Sequence, residues 1–107
     1  MVVDRFSIHL IDLEPTVGAE IKKVRPGLVV SPNEMNHHIR TVIIAPMTTK
    51  GRQFSTRISC KFQGKEGRIL LDQIRAVDRS RLSASLGILD KDTQNEVLST
   101  LRKMFAP

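Results

Sequence analysis

Residues 55–62, Ser-Thr-Arg-Ile-Ser-Cys-Lys-Phe, alternate between two sets of side chains along their whole length. Successive side chains of a strand point to opposite faces of a sheet, so one set would face the core and the other the solvent. Gly64 and Gly67 would bracket a hairpin turn, and residues 68–72 would form its return strand. This stretch predicts an antiparallel sheet. The inward set is Thr56, Ile58, Cys60 and Phe62.

Three further strands are predicted before this hairpin. Residues 6–13 alternate in part, with Phe6, Ile8 and Leu10 set against Ser7 and His9. Short apolar runs at 28–30 and 41–45 suit buried strands, the second ending at Pro46. Two prolines and a glycine within residues 14–26 predict a loop, and the polar residues 47–53 predict a second, basic loop.

Helical signals are few. Residues 31–34, Ser-Pro-Asn-Glu, match a capping box with proline at the first helical position, which predicts one helical turn. Residues 73–81 are polar and basic and lead to a turn near Gly87, after which Asp90 is a good N-cap. We therefore expect a mainly β fold of five short strands, a barrel with short helices and a C-terminal helix. The apolar stripe of that helix is Val97, Leu98, Leu101, Met104 and Phe105.

Length and charge limit the kinds of function. A chain of 107 residues predicts one domain, 1–107, with a single core. Its 17 Lys and Arg exceed its 11 Asp and Glu, giving a net charge of +6 that favours polyanionic partners such as nucleic acid. Only four residues are aromatic, all Phe, which argues against a surface built mainly on base stacking.

Cofactor and compartment are indicated by what the sequence lacks. Cys60 is the only cysteine, so we expect a small core residue, no disulfide and no cysteine-based zinc site. His37 and His38 are adjacent and would diverge, so we expect surface residues rather than metal ligands. No apolar stretch approaches the length of a membrane span or of a secretion signal. These observations favour a cytoplasmic protein with neither metal nor cofactor.

Three blocks in the same order resemble the MazF/PemK family of toxins. The first is DLEPTVGAE at 12–20 with KVRP at 23–26 and LVVSP at 28–32, the second VIIAPMTT at 42–49, and the third LDQIRAVDRSRL at 71–82. Some positions depart from the family: Ile21 stands where Gln is common, Ala19 where some members have His, and Leu70 where some have Arg. The last departure argues against a catalytic arginine at position 70.

The resemblance implies a small barrel like that of Src-homology-3 (SH3) domains, of the type shared by CcdB, MazF and PemK. It also implies a homodimer that cuts mRNA at a short single-stranded sequence, without ribosome, metal or cofactor. Its partner would be a cognate antitoxin, MazE-like or another small acidic protein. The recognition sequence and the class of antitoxin are left open, because base specificity depends on loop geometry.

RNA carries its own nucleophile, so a cutter must deprotonate the 2′-hydroxyl, stabilise the charged phosphorane and protonate the leaving 5′-oxygen. Arg25 matches the family motif, and its guanidinium can bind phosphate through two hydrogen bonds. Glu20 would either orient Arg25 by pairing with it or act as the base. Thr48 offers a hydroxyl and a backbone N–H to the scissile phosphate. These three are the candidate catalytic residues.

Further residues are candidates for binding RNA, alongside Arg57. Phe54 would either stack on a base or belong to the core. Asp72 and Gln73 would either read base edges or act as caps or salt-bridge partners, as residues at strand ends often do. The basic side chains would follow the RNA backbone. The full set of RNA-binding candidates is Lys22, Lys23, Thr49, Lys50, Arg52, Phe54, Asp72 and Gln73.

Two other functions fit the same fold class. A CcdB-like gyrase poison acts through a protein contact at its C-terminal helix, and such poisons resemble one another in an aromatic-bearing terminal tripeptide. This chain ends Met104-Phe105-Ala106-Pro107 and has no Trp, which argues against that reading. The second alternative is a non-catalytic RNA-binding barrel, which an in vitro cleavage assay would distinguish.

Overall fold

The computed structural model describes residues 2–107. Residues 2–90 are mostly strand and loop, and one long helix follows them. The strands are β1 (Ser7–Asp12), β2 (Val24–Val29), β3 (Thr41–Thr48), β4 (Arg57–Phe62), β5 (Lys65–Leu70), β6 (Arg75–Asp78) and β7 (Leu82–Ile88). The α-helices are α1 (Asn33–Asn36) and α2 (Lys91–Met104), and short 3-10 turns span Leu71–Gln73 and Arg79–Arg81.

Strand β3 is the centre of the sheet, whose strand order is β4-β5-β3-β2-β1-β7 with every pair antiparallel. One edge of β3 pairs with β2. The other edge pairs first with β6, through residues 41–44, and then with β5, through Met47 and Thr48. The sheet curls into a half-barrel, as the predicted fold class requires, and brings the start of β2, the end of β3 and the β4–β5 hairpin together.

The central strands are buried on both faces, because a hydrophobic cluster covers each side of the sheet. Leu28 and Ala45 belong to one cluster, while their chain neighbours Val29 and Ile44 belong to the other. Successive side chains of a strand point to opposite faces, which explains why these strands are continuous apolar runs. Helix α2 packs on the first cluster, through Val97, Leu98, Leu101 and Met104.

The predicted hairpin is confirmed, although β4 starts at Arg57 rather than Ser55 and Gly67 lies within β5 rather than at the turn. Ile58 and Cys60 are buried on β4, whereas Ser59 and Lys61 are exposed. Its connection is the two residues Gln63 and Gly64, with φ values of 52° and 75°. Two successive positive φ angles are those of a type I′ turn, which matches the twist of the strands it joins. Strand β5 therefore starts at Lys65, earlier than predicted, and ends at Leu70.

The predicted count of five strands was wrong, because strands also follow residue 72. Asp72 lies in the Leu71–Gln73 turn, and β6 and β7 follow it. Of the four residues of β6 only Val77 is buried, and β7 exposes Ser83, Ala84 and Ser85. Neither strand therefore carries the apolar alternation that identifies a strand from sequence.

Two predicted boundaries were also wrong. Strand β2 starts at Val24, so Arg25 and Pro26 belong to a strand rather than to a loop at 14–26. Pro26 pairs with Leu10 on β1, and pairing with β3 begins only at Gly27. Strand β3 likewise continues through Pro46 to Thr48. Proline is tolerated where the pairing between two strands ends. Pro46 is the last β3 residue that pairs with β2, and Pro26 lies just beyond that pairing on β2.

Three side-chain predictions need correction. Ser7 and His9 are buried on β1 rather than solvent-facing, because apolar clusters cover both faces of that strand. The N-cap of α1 is Pro32 and carries no side-chain cap, since the Ser31 hydroxyl instead bonds to Asn36 and to the Ile43 N–H. Phe105 lies beyond the end of α2 and is 71% exposed, so it is not part of the helix stripe. The Asp90 cap is confirmed through its bond from the Thr93 N–H.

Candidate active site

An open cleft of about 240 Å³ lies where β2, β3 and the β4–β5 hairpin meet. Arg25, at the start of β2, and Thr48, at the end of β3, both line it. We call it the Arg25 cleft. Its lining residues are Arg25, Pro26, Met47, Thr48, Thr49, Cys60, Phe62, Gln63, Lys65, Gly67 and Arg68.

The Arg25 cleft is positively charged. Arg25, Lys65 and Arg68 line it, and no Asp or Glu is among its lining residues. Cations without a neighbouring carboxylate attract phosphate groups, and concave walls strengthen that attraction. The remaining polar lining, Thr48, Thr49 and Gln63, supplies uncharged donors and acceptors. The cleft therefore suits a polyanion with hydrogen-bonding groups, such as RNA.

Arg25 is held by the turn that precedes its strand. Its Nε donates to the Lys22 carbonyl oxygen at 2.9 Å. Lys23, between them, has a φ of 72°, the left-handed conformation that reverses the chain direction here. Within the described residues Arg25 makes no other side-chain hydrogen bond, so both terminal amino groups remain for a phosphate.

Thr48 is buried at the end of β3, where it pairs with Arg68 of β5. Its Oγ1 accepts a hydrogen bond from the Lys50 N–H at 3.1 Å. A hydroxyl that accepts one bond still has its own hydrogen to donate. Thr48 is thus positioned by the backbone of the loop that follows it and can donate to a ligand oxygen in the cleft.

Glu20 lines a second cleft, of about 200 Å³, which we call the Glu20 cleft. Its Oε1 accepts from the Val17 N–H at 2.6 Å, within its own loop. The expected pairing of Glu20 with Arg25 is not among the ion pairs that residues 2–107 form. The lining residues of the Glu20 cleft are Leu13, Glu20, Ile21, Pro46, Asp72, Gln73, Ile74 and Arg75.

The loop at 49–56 carries exposed basic and aromatic groups beside the Arg25 cleft. Lys50 and Arg52 are exposed, and Phe54 is 61% exposed, which excludes the alternative that it belongs to the core. On the opposite loop Lys22 and Lys23 are exposed as well. The structure therefore leaves these five side chains accessible to a ligand.

Arg57 and Asp72 form a two-point ion pair. The Nε and Nη2 of Arg57 lie 3.1 Å from Oδ1 and Oδ2 of Asp72. Hydrogen bonding to Arg57 lowers the pKa of Asp72, and the same bond raises the pKa of Arg57. Gln73 is also engaged, because its Oε1 accepts from the Ile21 N–H at 2.9 Å. The geometry thus favours a structural role for Arg57, Asp72 and the carbonyl group of Gln73 over direct contact with RNA.

Sequence reasoning missed Gln63, Lys65 and Arg68 as cleft residues. The hairpin itself was predicted, but its position beside β3 depends on the pairing of Thr48 with Arg68. Those residues are far apart in the chain, and no local pattern encodes a long-range register. The available signal in the sequence was the pair of cations, Lys65 and Arg68, that lie close together in the hairpin.

Other predicted features lie away from the clefts. Exposed His37 and His38 bond separately, to the Asp4 carboxylate and the Glu34 carbonyl. Over residues 2–107 no three His, Cys, Asp or Glu side chains are grouped as a metal site would need. Cys60 belongs to the core as predicted, and burial raises the pKa of its thiol. In the described part of the chain, neither helix is long and apolar enough to cross a membrane.

Comparisons with known proteins identify the family and the fold. A profile of the PemK-like, MazF-like toxins of type II toxin–antitoxin systems matches residues 4–105. Endoribonuclease EndoA of Bacillus subtilis (strain 168) is 32% identical over 112 residues, covering 99% of this chain and 97% of that protein. Crystalline MazF of Deinococcus radiodurans superposes with a TM-score of 0.85 at 26% identity, over 97% of this chain and 96% of that one.

A second structure from Deinococcus radiodurans, of MazE with MazF, gives a TM-score of 0.78 at 25% identity. It covers 97% of this chain and 96% of that one. The likeness therefore covers nearly the whole of this chain and of these relatives. The chain belongs to the PemK-like, MazF-like toxins of type II toxin–antitoxin systems.

Proposed function

We propose that the protein is an endoribonuclease toxin that cleaves single-stranded RNA in the Arg25 cleft. The observation that carries this proposal is that the Arg25 guanidinium and the Thr48 hydroxyl share one cleft with Lys65 and Arg68, and with no carboxylate. Its relative in Bacillus subtilis is named an endoribonuclease. The substrate class is mRNA, and the site of action is the cytoplasm.

The reaction uses the nucleophile of the RNA itself. The 2′-hydroxyl loses its proton to a base and its oxygen bonds to the adjacent phosphorus, while the bond to the 5′-oxygen breaks and that oxygen takes up a proton. The products are a 2′,3′-cyclic phosphate and a 5′-hydroxyl. Arg25 binds the phosphate oxygens as their charge increases, and Thr48 donates its hydroxyl hydrogen to one of them.

Glu20 is the proposed third catalytic residue, either as base or as the group that orients Arg25. For either role the part of the loop between its anchored ends, residues 15–20, must rearrange so that the carboxylate passes from the Glu20 cleft to the Arg25 cleft, and Glu20 is exposed there. Glu20→Gln distinguishes the roles. Loss of a base removes the acidic limb of the rate–pH profile, whereas loss of an orienting group lowers the rate equally at every pH.

RNA binding involves the two loops beside the cleft. Lys22, Lys23, Lys50 and Arg52 follow the phosphate backbone, Thr49 lines the cleft, and Phe54 stacks on a base. Lys65, Arg68 and Gln63 add the hairpin side of the same surface. Sequence preference arises where an unstacked base contacts Phe54 and the uncharged polar groups.

The active form is a homodimer, as the resemblance to the family implies, because one barrel of 32 × 31 × 27 Å by itself offers little surface for gripping the RNA. Light scattering measures this directly. If the protein cuts RNA while it is a stable 12.0 kDa monomer, the proposal that two subunits share one groove is wrong. The other partner is a cognate antitoxin, since the family belongs to type II toxin–antitoxin systems and a relative has been crystallised with MazE.

Cleavage of a labelled single-stranded RNA by the pure protein in excess EDTA tests the activity. We expect cutting to continue and the fragments to carry a cyclic phosphate and a 5′-hydroxyl, while single-stranded DNA, which lacks the 2′-hydroxyl, stays intact. The mechanism is falsified if EDTA abolishes cutting or if the products carry 5′-phosphates. Binding of RNA without cleavage would instead indicate the non-catalytic barrel.

A further inference from the structure

The two loops that border the clefts are attached to the same short turn. Asp72 of the Leu71–Gln73 turn binds Arg57 at the end of the 49–56 loop, and Gln73 of that turn binds Ile21 in the 13–23 loop. The loops are distant in sequence, and each carries two candidate RNA-binding cations, Lys22 and Lys23 in one and Lys50 and Arg52 in the other. Adjacent residues of one turn thus hold both sides of the proposed RNA site.

The attachment of the 49–56 loop runs through Arg57. Its guanidinium makes the two-point pair with Asp72, and its Nη1 donates to the Arg52 carbonyl oxygen at 3.2 Å. The side chains of Arg57 and Asp72 are only 20% and 32% exposed. Bidentate, partly shielded pairs hold a fixed geometry, unlike most pairs on an open surface. Arg57 therefore fixes the backbone of Arg52, next to the exposed Phe54.

The 13–23 loop is attached by residues that follow Asp72 in the chain. The Gln73 Oε1 accepts from the Ile21 N–H at 2.9 Å, near the end of the loop. Arg75, two residues later, donates to the Leu13 carbonyl at 3.1 Å, where the loop begins. Arg81 donates to the carbonyls of Asp12 and Glu14 as well. Both ends of this loop are thus tied to one short part of the chain.

We propose that Asp72 and Gln73 are positioning residues, which hold the two loops in a fixed relative arrangement before RNA binds. This inference rests on the proposed function. A loop ordered in advance loses less conformational entropy on binding, so the two contacts strengthen RNA binding without touching RNA. Breaking one contact should raise the KM while the kcat at saturating RNA stays close to the wild-type value.

A mutant cycle tests the first contact, with Asp72→Asn, Arg57→Gln and the double variant. If the pair acts only by holding the loop, each single variant weakens binding of a 2′-deoxy-substituted, non-cleavable RNA by roughly tenfold. The double variant then binds no worse than either single one. If Asp72 instead contacts a base, Asp72→Asn weakens binding further in the Arg57→Gln background and changes the preferred cleavage sequence, which overturns the proposal.

Amide hydrogen exchange of the free protein provides a readout that is independent of nuclease activity. Asp72→Asn should speed exchange in the 49–56 loop, and Gln73→Ala should speed it in the 13–23 loop, with the sheet unchanged. Loop exchange at wild-type rates in both variants overturns the proposal. If the wild-type protein neither binds nor cuts RNA, the proposed function fails, and the exchange result still decides whether the turn holds the loops.

Arg40→Gln is the matched control. It removes a pair with Asp78 that has one contact of 3.3 Å and an arginine side chain that is 80% exposed. Arg40 lies outside the lining of both clefts. We expect wild-type RNA binding and wild-type loop exchange in this variant. Equal losses in Arg40→Gln and Arg57→Gln would mean that lost positive charge, and not loop positioning, explains the effect.

Discussion

Gly67 lies against the backbone carbonyl of Thr48, so closely that a Cβ at position 67 would be 2.8 Å from that oxygen. Real Cβ atoms do not approach an oxygen this closely, so one strand would have to move. Thr48 is at once the end of β3 and a candidate catalytic residue, and both residues line the Arg25 cleft. Because Gly67 has no side chain, β5 can approach the end of β3 closely, and this close approach helps to shape the site.

Gly67→Ala should displace the end of β3 and with it the Thr48 hydroxyl. We expect cleavage to slow by about tenfold or more and the free energy of unfolding to fall by about 1–3 kcal/mol, as for an overpacked contact. Gly64→Asn is the control, because nothing lies within 4 Å of that position and asparagine tolerates its φ of 75°. Wild-type turnover in Gly67→Ala would contradict the role of this close approach.

Replacing Arg25 with Ala should lower the cleavage rate by roughly 10²–10³. The melting temperature should change little, because the side chain is only part-buried and, among residues 2–107, bonds only to the Lys22 carbonyl. Arg25→Lys should also be impaired, since an ammonium group cannot form the two parallel bonds of a guanidinium. Arg102→Ala, on the exposed side of α2, is the control. Near wild-type turnover of Arg25→Ala would remove this residue from the mechanism.

The free energy of unfolding should fall as the pH drops below about 6.5, the ordinary pKa of histidine. His9 is 1% exposed, its Nε2 lies 2.9 Å from the Ser7 hydroxyl, and its Nδ1 has no partner among the described groups. Burial lowers the pKa of His9 in the native protein. As the pH falls, the unfolded chain therefore binds a proton on His9 before the native protein does. The contribution of neutral His9 to the free energy of unfolding is fully present above pH 6.5 and is lost as the pH falls towards the lower native pKa.

Urea unfolding at pH 8 and pH 5.5 measures this dependence. One proton taken up only by the unfolded chain contributes at most about 1.4 kcal/mol per pH unit. His9→Gln should reduce the dependence, whereas the exposed His38→Gln should leave it unchanged. If His9→Gln and the wild type lose the same stability between the two pH values, another group is responsible.

The antitoxin should silence the protein by placing an acidic, disordered segment in the RNA groove. The net charge of +6 and the cations of the Arg25 cleft attract carboxylates as they attract phosphates. Inhibition should be competitive with a non-cleavable RNA and should weaken as salt rises, because both ligands use the same Lys and Arg side chains. If RNA and the antitoxin bind at the same time and neither weakens the affinity of the other, this model is wrong, and the antitoxin must instead inhibit by changing the shape of the loops.

Much of the fold could be predicted from local sequence. The alternation of residues 55–62, the Asp90 cap and the apolar spacing of α2 each have a local cause, because strand and helix periodicity are properties of neighbouring residues. Strands β6 and β7 could not, since they are held by pairing with β3 and β1 rather than by their own composition. The family itself was recognisable from the ordered motifs, and the profile match confirms it.

For the site, the sequence by itself determined which groups are available: the guanidinium of Arg25, the hydroxyl of Thr48, the carboxylate of Glu20 and a surplus of cations. Only the tertiary structure decided which of them meet. The register of β3 with β5 brings Arg68 beside Thr48, the curl of the sheet places Arg25 in the same cleft, and Glu20 lines another. Arg57 and Asp72, both polar enough to bind RNA, are instead engaged with each other. The physical reason is that chain composition fixes the chemistry of each side chain, whereas its partners are set by pairings between residues far apart in the sequence.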